Sequence, residues 1–303
     1  MITSVGEILV DIFPGYRRIG GAPFNFAYHL QKIGEPVSLI SRIGNDAAGR
    51  EIMNLLDLNG FDTRHVMQDD RYETGRVTVT LDDEGTPTFE ILGNMAYDHI
   101  DARDGVAAVR RQNPDLIYFG TLSQRTARGH GAVQKILAAR DPEARVLCDV
   151  NLRPGCYNEK IVRESLQQCN ALKMNTEELK TIKGMFRFPG SDDAFVDHLM
   201  QDMGIGLISL TKGAAGSELF THTGSHEQRN TPVEIAGDTV GAGDAYASVV
   251  ALGCTHGWTP EKIVETAAEL ARRVCGIKGA IPAEAGFYEG LLDPERKRPV
   301  EKR

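Results

Sequence analysis

The residues of this chain best suited to chemistry stand together, in the order Asp238, Thr239, Val240, Gly241, Ala242, Gly243, Asp244. Gly241, Ala242 and Gly243 place little side-chain bulk before an apolar stretch of helical length, Ala245–Cys254. Backbone N–H groups of such a turn are free to approach an anion, and the positive end of the helix dipole favours negative charge there. Asp244 puts a carboxylate at the same spot. That combination suits a reaction in which a carboxylate takes the proton of a hydroxyl while N–H groups stabilise the phosphoryl group under attack. The same string also reads as a glycine-rich turn with Asp244 as an ordinary helix cap.

Such a turn needs a scaffold. Short, near-continuous apolar runs at Leu116–Gly120, Arg145–Val150 and Ile205–Thr211 read as strands buried on both faces, as in a parallel sheet. Thr3–Ile12, within a strand-like Met1–Phe13, and Val37–Ile43 extend the set. Between them the spacing predicts helices over Pro23–Ile33, Ala47–Leu58, Gly129–Ala139, Asp193–Met203, Ala245–Cys254 and Pro260–Val274. This alternation predicts a layered α/β fold with a mainly parallel central sheet. Two pieces break it. Tyr72–Leu81 and Thr86–Leu92 alternate around the turn residues Asp82, Asp83, Glu84 and Gly85, a hairpin signal, and Ile12–Ile19 is a short polar strand candidate. They read as a small β flap, or as a decorative edge hairpin.

Composition narrows the class. With 42 acidic against 34 basic residues and a net charge of -8, the chain lacks the basic surface that a general nucleic-acid binder needs. No apolar run is long enough to span a bilayer, and the first residues lack the pattern of a signal peptide. Cys148, Cys156, Cys169, Cys254 and Cys275 form no CxxC pair, which suits a reducing, cytoplasmic setting. No Gly-Lys dipeptide, HExxH, GxSxG or GxGxxG occurs, so several common enzyme classes are excluded, a dinucleotide oxidoreductase among them.

The 238–244 string resembles the DTxGAGD signature of the ribokinase-like (PfkB) carbohydrate kinases, and other segments match in the family's order. Gly20, Gly21 and Asn25 fit its GGxxxN; Gly6–Asp11 resembles its opening strand; Gly44, Asp46 and Gly49 fit its GxDxxG turn. Asp149, Asn151, Arg153 and Pro154 resemble the DxNxRP of the fructokinase-like branch, Asn175 and Glu178 its NxxE element, and Thr211, Gly213 and Gly216 its TxGxxG-type nucleotide loop, with Lys212 at the second place. The resemblance implies a three-layer α/β/α sandwich with a small β lid: residues 1–11, 23–71 and 99–303 as the sandwich, 12–22 and 72–98 as the lid. It implies an ATP-dependent kinase acting on a primary hydroxyl of a small sugar.

Carried over residue by residue, Asp244 is the base and Gly241, Ala242 and Gly243 the anion hole. Asp11 accepts sugar hydroxyls, or caps a loop. Gly20, Gly21 and Asn25 contact the sugar, an amide offering donors and acceptors together, or Asn25 caps its own helix. Phe89, Asn94 and Tyr97 at the end of the lid touch the sugar. Asn175 and Glu178, three apart and so facing the same way, help hold Mg²⁺ through water, or form a capping pair. Lys173 reaches a phosphate or stays solvated. Arg153 pairs with phosphate or a sugar acid, or with Asp149 or Asp46. Thr211, Lys212, Gly213 and Gly216 take the nucleotide, with Ala268 near the adenine. A monovalent cation, K⁺, is implied at Asp238, Val240, Val274 and Gly279. The lid excludes water, and covering its exposed strands implies a homodimer through the lid.

The fructokinase-like strings favour fructose or a related hexose. Ribose, 2-keto-3-deoxygluconate and a nucleoside are the alternatives, a keto acid needing a cation such as Arg17, Arg18 or Arg76. From a different class, a catalytically silent sugar or nucleotide sensor shares the fold.

Overall fold

A computed structural model describes residues 1–78, 90–230, 240–284 and 286–292 in full and the backbone of 79–81 and 87–89. Nine strands form the central sheet, in the order β13-β12-β11-β10-β9-β8-β1-β4-β5. They are β1 (Ile2–Val5), β4 (Val37–Gly44), β5 (Val66–Asp69), β8 (Leu116–Gly120), β9 (Arg145–Asp149), β10 (Ala171–Asn175), β11 (Leu207–Thr211), β12 (Ser217–Thr221) and β13 (Gly224–Gln228). All pairings are parallel except β11–β12 and β12–β13. The strands from β1 to β11 are buried almost throughout, which explains their unbroken apolar runs.

Helices cover both faces. Leu116, Tyr118, Leu147 and Ala171 pack with α1 (Ala22–Ile33), α2 (Ala47–Leu58), α8 (Ala242–His256) and α9 (Pro260–Cys275). Ile117, Phe119, Val146, Cys148 and Leu172 point the other way, toward α3 (Ala102–Gln112), α4 (Ala127–Ala138), α5 (Glu159–Gln168), α6 (Thr176–Met185) and α7 (Asp192–Gln201). This period-2 alternation of two cores is the three-layer sandwich expected from sequence. No described helix is long and apolar enough to cross a membrane.

A second sheet stands apart: β2 (Leu9–Phe13), β3 (Tyr16–Gly20), β6 (Gly75–Leu81) and β7 (Pro87–Ile91), in the order β3-β2-β6-β7. It is mixed, since β2 and β6 run parallel while the other pairs are antiparallel. The expected single strand over Met1–Phe13 is therefore two. Gly6 breaks it, with φ +151°, at a point where a Cβ would stand 2.5 Å from Pro23 of α1. Leu9–Asp11, expected in the sandwich, belong to the small sheet, and Ala22, expected in the lid, begins α1. The turn at 82–85 lies outside the described residues. Asp46 staples the root of β6 to the sandwich: it caps α2 at the Gly49 N–H (2.8 Å) and also accepts from the Thr74 N–H (2.9 Å) and hydroxyl (2.8 Å).

Candidate active site

A cleft of about 790 Å³ lies between the small sheet and the carboxyl ends of the parallel strands. Its floor includes Lys173 and Asn175 of β10, Thr211 at the end of β11, and Asn151 and Arg153 just past β9. Its roof is Leu9, Asp11, Phe13, Val77 and Ile91 of the small sheet. Strand order reverses at β1, which has β4 on one side and β8 on the other. Ligands of open α/β sheets bind outside such a switch point, and Glu7, just past β1, lines the cleft there.

Two helices aim their N-termini at this space. The N-cap of α1 is Gly21 (φ +104°) and that of α8 is Gly241 (φ +81°); neither helix has a side-chain cap of its own. Both positions need glycine: a Cβ on Gly21 would stand 2.6 Å from the Glu7 carbonyl oxygen, and one on Gly241 2.3 Å from Ala280. The two helices pack on each other, and Asn25 of α1 donates through Nδ2 to Oδ2 of Asp244, in the first turn of α8, at 2.8 Å. Asn25 is thus bound to the other helix rather than capping its own. Burial and the nearby Asp149 push the Asp244 carboxyl up to about 6, against the pull of Asn25, Lys173 and Arg153.

Lys173 is buried, not solvated. Its Nζ donates to both oxygens of Asp149, at 2.9 and 3.0 Å. Burial alone would lower the ammonium, but Asp149 and Glu178 hold it above the ordinary lysine value. Gly243 keeps space beside it, since a Cβ there would stand 3.2 Å from Nζ. The result is a fixed positive charge next to the α8 N-terminus. Asp149 is taken by Lys173 and Asp46 by α2 and Thr74, so the expected alternative of an Arg153 bridge to either does not form. Arg153 lines the cleft with its side chain exposed.

Asn175 and Glu178 form the capping pair: Asn175 Oδ1 accepts from the Glu177 and Glu178 N–H groups, and Glu178 returns a bond to the Asn175 N–H at 2.8 Å. The other Glu178 oxygen accepts from the Leu152 N–H at 2.9 Å, tying α6 to the segment that carries Arg153. Burial, reinforced by Asp149, raises the Glu178 carboxyl despite Lys173. Both residues still line the cleft.

Several expected contacts are not brought to the cleft. Tyr97 is fully buried beneath Gly75, in a cluster with Leu9, Val77 and Leu122, so it supports the cleft wall without lining it. Asn94 is exposed and bonds His99 at 3.0 Å. The Phe89 side chain and Asp238 lie outside the described residues. Gly20 stands against Asp11, where a Cβ would meet Oδ2 at 2.6 Å, so it makes room for that carboxylate instead of lining the cleft itself. Lys212 pairs with Glu218 at 2.7 Å; it, Gly213 and Gly216 continue from Thr211 beyond the cleft. Ala242 packs at the edge of the core. Ala268 and Val274 are buried among the core side chains of α9, Val240 reaches the cleft, and Gly279 stands against Arg18. Sequence reading assigned Glu7 no role beyond its place in the Gly6–Asp11 strand, and Asp149 none beyond the DxNxRP string and a pairing with Arg153. The signal was present in both: a carboxylate inside an otherwise apolar run.

A doubly covered α/β sheet that brings a helix N-terminus, a buried lysine and a raised carboxyl into one cleft has the parts a phosphoryl-transfer enzyme uses. The family model for pfkB family carbohydrate kinases matches residues 15–285, and the chain belongs to that family. It is 26% identical to a fructokinase of Escherichia coli over 92% of this chain and 94% of the relative. In structure it resembles a fructokinase of Vibrio cholerae in fructose, ADP and calcium ion bound form, with TM-score 0.80 at 22% identity, covering 96% and 98% of the two chains. It also resembles an uncharacterized sugar kinase of Pyrococcus horikoshii in complex with ATP, with TM-score 0.79 at 24% identity over 92% and 94%. The protein is a sugar phosphotransferase of this family.

Proposed function

We propose that this kinase transfers the γ-phosphoryl group of ATP to a primary hydroxyl of a small sugar, fructose or a related hexose. The observation that carries the reading is the Asn25–Asp244 bond, which holds a raised carboxyl in the first turn of α8, beside Lys173. Asp11, Gly21 and Asn25 bind the sugar. The Asp244 carboxylate takes the hydroxyl proton, the oxygen attacks the γ-phosphorus, and the bond to ADP breaks. The N–H groups at Gly241–Gly243 and the Lys173 ammonium stabilise the phosphoryl charge. Thr211 and the turn after it receive the nucleotide. Support for the hexose comes from relatives such as the Escherichia coli fructokinase.

No group of three metal-ligating side chains gathers among the described residues. Mg²⁺ needs few protein ligands, and Glu178 keeps a lone pair on each oxygen after accepting one N–H apiece, so it and Asn175 would hold the ion through water. Bound there, Mg²⁺ neutralises phosphate charge. K⁺ at Val240 and Gly279 and a homodimer through the small sheet complete the reading; exchange of K⁺ for Na⁺, and light scattering, test them. The main test is ADP release across neutral sugars, sugar acids and nucleosides with Mg²⁺ and K⁺. Turnover highest on a ketohexose is expected. Turnover on none would return the sensor reading.

A further inference from the structure

We infer that Glu7 is a substrate-contacting residue that makes the sugar end of the cleft selective for neutral polyols over sugar acids; this rests on the sugar-kinase reading above. Glu7 is 3% exposed and lines the cleft, and its buried Oε2 has no hydrogen-bond partner. Buried carboxylate oxygens are normally bonded, so an unpartnered one at a cleft wall is an acceptor kept for a ligand. What surrounds it holds it in place without satisfying it. Burial pushes the Glu7 carboxyl up to about 7, against the pull of the backbone amides of Glu7 and of Ala22, at the start of α1, and of Arg153. Pro23, the next helical residue, has no N–H to add.

The neighbourhood fixes the ligand chemistry. Glu7, Asp11 and Asp244 all line this part of the cleft, and the Asp244 charge opposes ionisation of Glu7. Three carboxyls offer acceptors, and a ligand must bring O–H donors to meet them. The apolar wall of Leu9, Val77 and Leu122 suits the C–H face of a sugar. Three cations that could receive a substrate carboxylate are engaged elsewhere: Arg17 with Glu51 at 2.6 Å, Arg76 with Glu73 at 3.4 Å, and Arg18 against the Tyr16 ring at 4.8 Å. None of the three lines the cleft. Arg153, which does line the cleft, already faces the Glu7 and Asp244 carboxyls. A sugar acid placed here would add a fourth acidic group to a site where Arg153 is already shared by two carboxyls and Lys173 is held by Asp149.

The test compares wild type, Glu7→Gln and Glu7→Asp, each first shown to be folded by its Tm. Kinetics at pH 8, above the raised Glu7 value of about 7, use fructose and a matched hexonic acid, with ATP varied separately. Glu7→Gln keeps the shape and loses the charge. It raises the KM for fructose about tenfold to a hundredfold, as expected for losing a bond to a charged acceptor, leaves the KM for ATP within twofold, and narrows the preference for fructose over the acid by at least tenfold. Glu7→Asp keeps the charge but retracts the acceptor, so it narrows that preference less while the fructose KM still rises. Unchanged fructose KM and unchanged preference in Glu7→Gln overturn the inference. So does an equal rise in the KM for fructose and for ATP, which marks a structural role. A wild type that phosphorylates no sugar fails before Glu7 is touched, and so refutes the sugar-kinase reading itself.

Discussion

The N-termini of α1 and α8 begin alike and end up differently. Each starts from a glycine at positive φ and each faces the same cleft. The α1 terminus already has an acidic group in front of it, the Glu7 carboxyl, and presents Asn25; these are two of the groups proposed above to meet the sugar hydroxyls. The α8 terminus has a cation beside it instead, Lys173, with Gly243 leaving the approach open. A filled helix end and an open one are joined by the Asn25–Asp244 bond, and the proposed reading gives the polyol to the first and the phosphate to the second. Anion recognition therefore depends less on the glycine-rich turn than on what the rest of the fold places in front of it.

The comparison breaks first at the joint. Asp244→Asn removes the base and should lower kcat roughly 10²–10⁴-fold with ATP affinity largely kept, read by single-turnover kinetics and calorimetry. Near-normal turnover would sink the assignment. The same variant should be more stable than wild type at pH 8. Folding raises this carboxyl from 3.8 to about 6, so the folded state disfavours its charged form. The stability cost is absent below the unfolded value of 3.8, grows as pH rises from there, and is complete once pH passes about 6. The gain at pH 8, read by denaturant unfolding, is at most about 3 kcal/mol.

Next comes the open end. Lys173→Met leaves Asp149 buried and unpaired, and should cost about 3–5 kcal/mol of stability. Lys173→Met with Asp149→Asn should recover much of the stability but not the turnover. Recovery of both would make the pair purely structural. Asn25→Ala should cost about tenfold to a hundredfold in kcat/KM. It should also move the acid limb of the pH profile, expected near 6 in wild type, upward, because the Asn25 bond is one of the forces holding Asp244 down. A limb that stays put would separate Asn25 from the ionisation.

The smallest effect distinguishes the two glycines directly. Gly21→Ala meets backbone at 2.6 Å on a φ of +104° and should destabilise by roughly 1–3 kcal/mol. Gly243→Ala meets only the tip of Lys173 at 3.2 Å, which can shift by a few tenths of an ångström. It should leave Tm within about 2 °C and raise the KM for ATP a few-fold. Equal penalties at both sites would erase the distinction.

Much of this was legible in the chain. The buried strands announced themselves as apolar runs, and the turn at Gly241–Asp244 stood out by residue type and falls at the N-terminus of α8 in the cleft. Sequence spacing could not show that Gly6 ends one strand and lets the next join another sheet, because Leu9–Phe13 is as apolar as Ile2–Val5 at its start. Nor could it show that Asn175 and Glu178 satisfy each other while still lining the cleft. Tyr97 looked like a contact because it follows the hairpin, yet Gly75 lets the strand close over it. Glu7 was visible as a carboxylate in an apolar run, but the folding back of Gly21 and Ala22, at the start of α1, onto it was not.

The place of β1 in the sheet has a consequence for assembly. From β8 to β13 each strand lies beside the one made just before it. Within the central sheet β1 alone waits: Ile2 pairs with Val37 early and with Leu116 only after much of the chain exists. The cost of closing a long loop therefore falls chiefly on that one junction. A chain begun after Val5 would lose the seam of the sheet, not an edge, and circular dichroism of that truncation should report loss of the whole fold rather than of one strand.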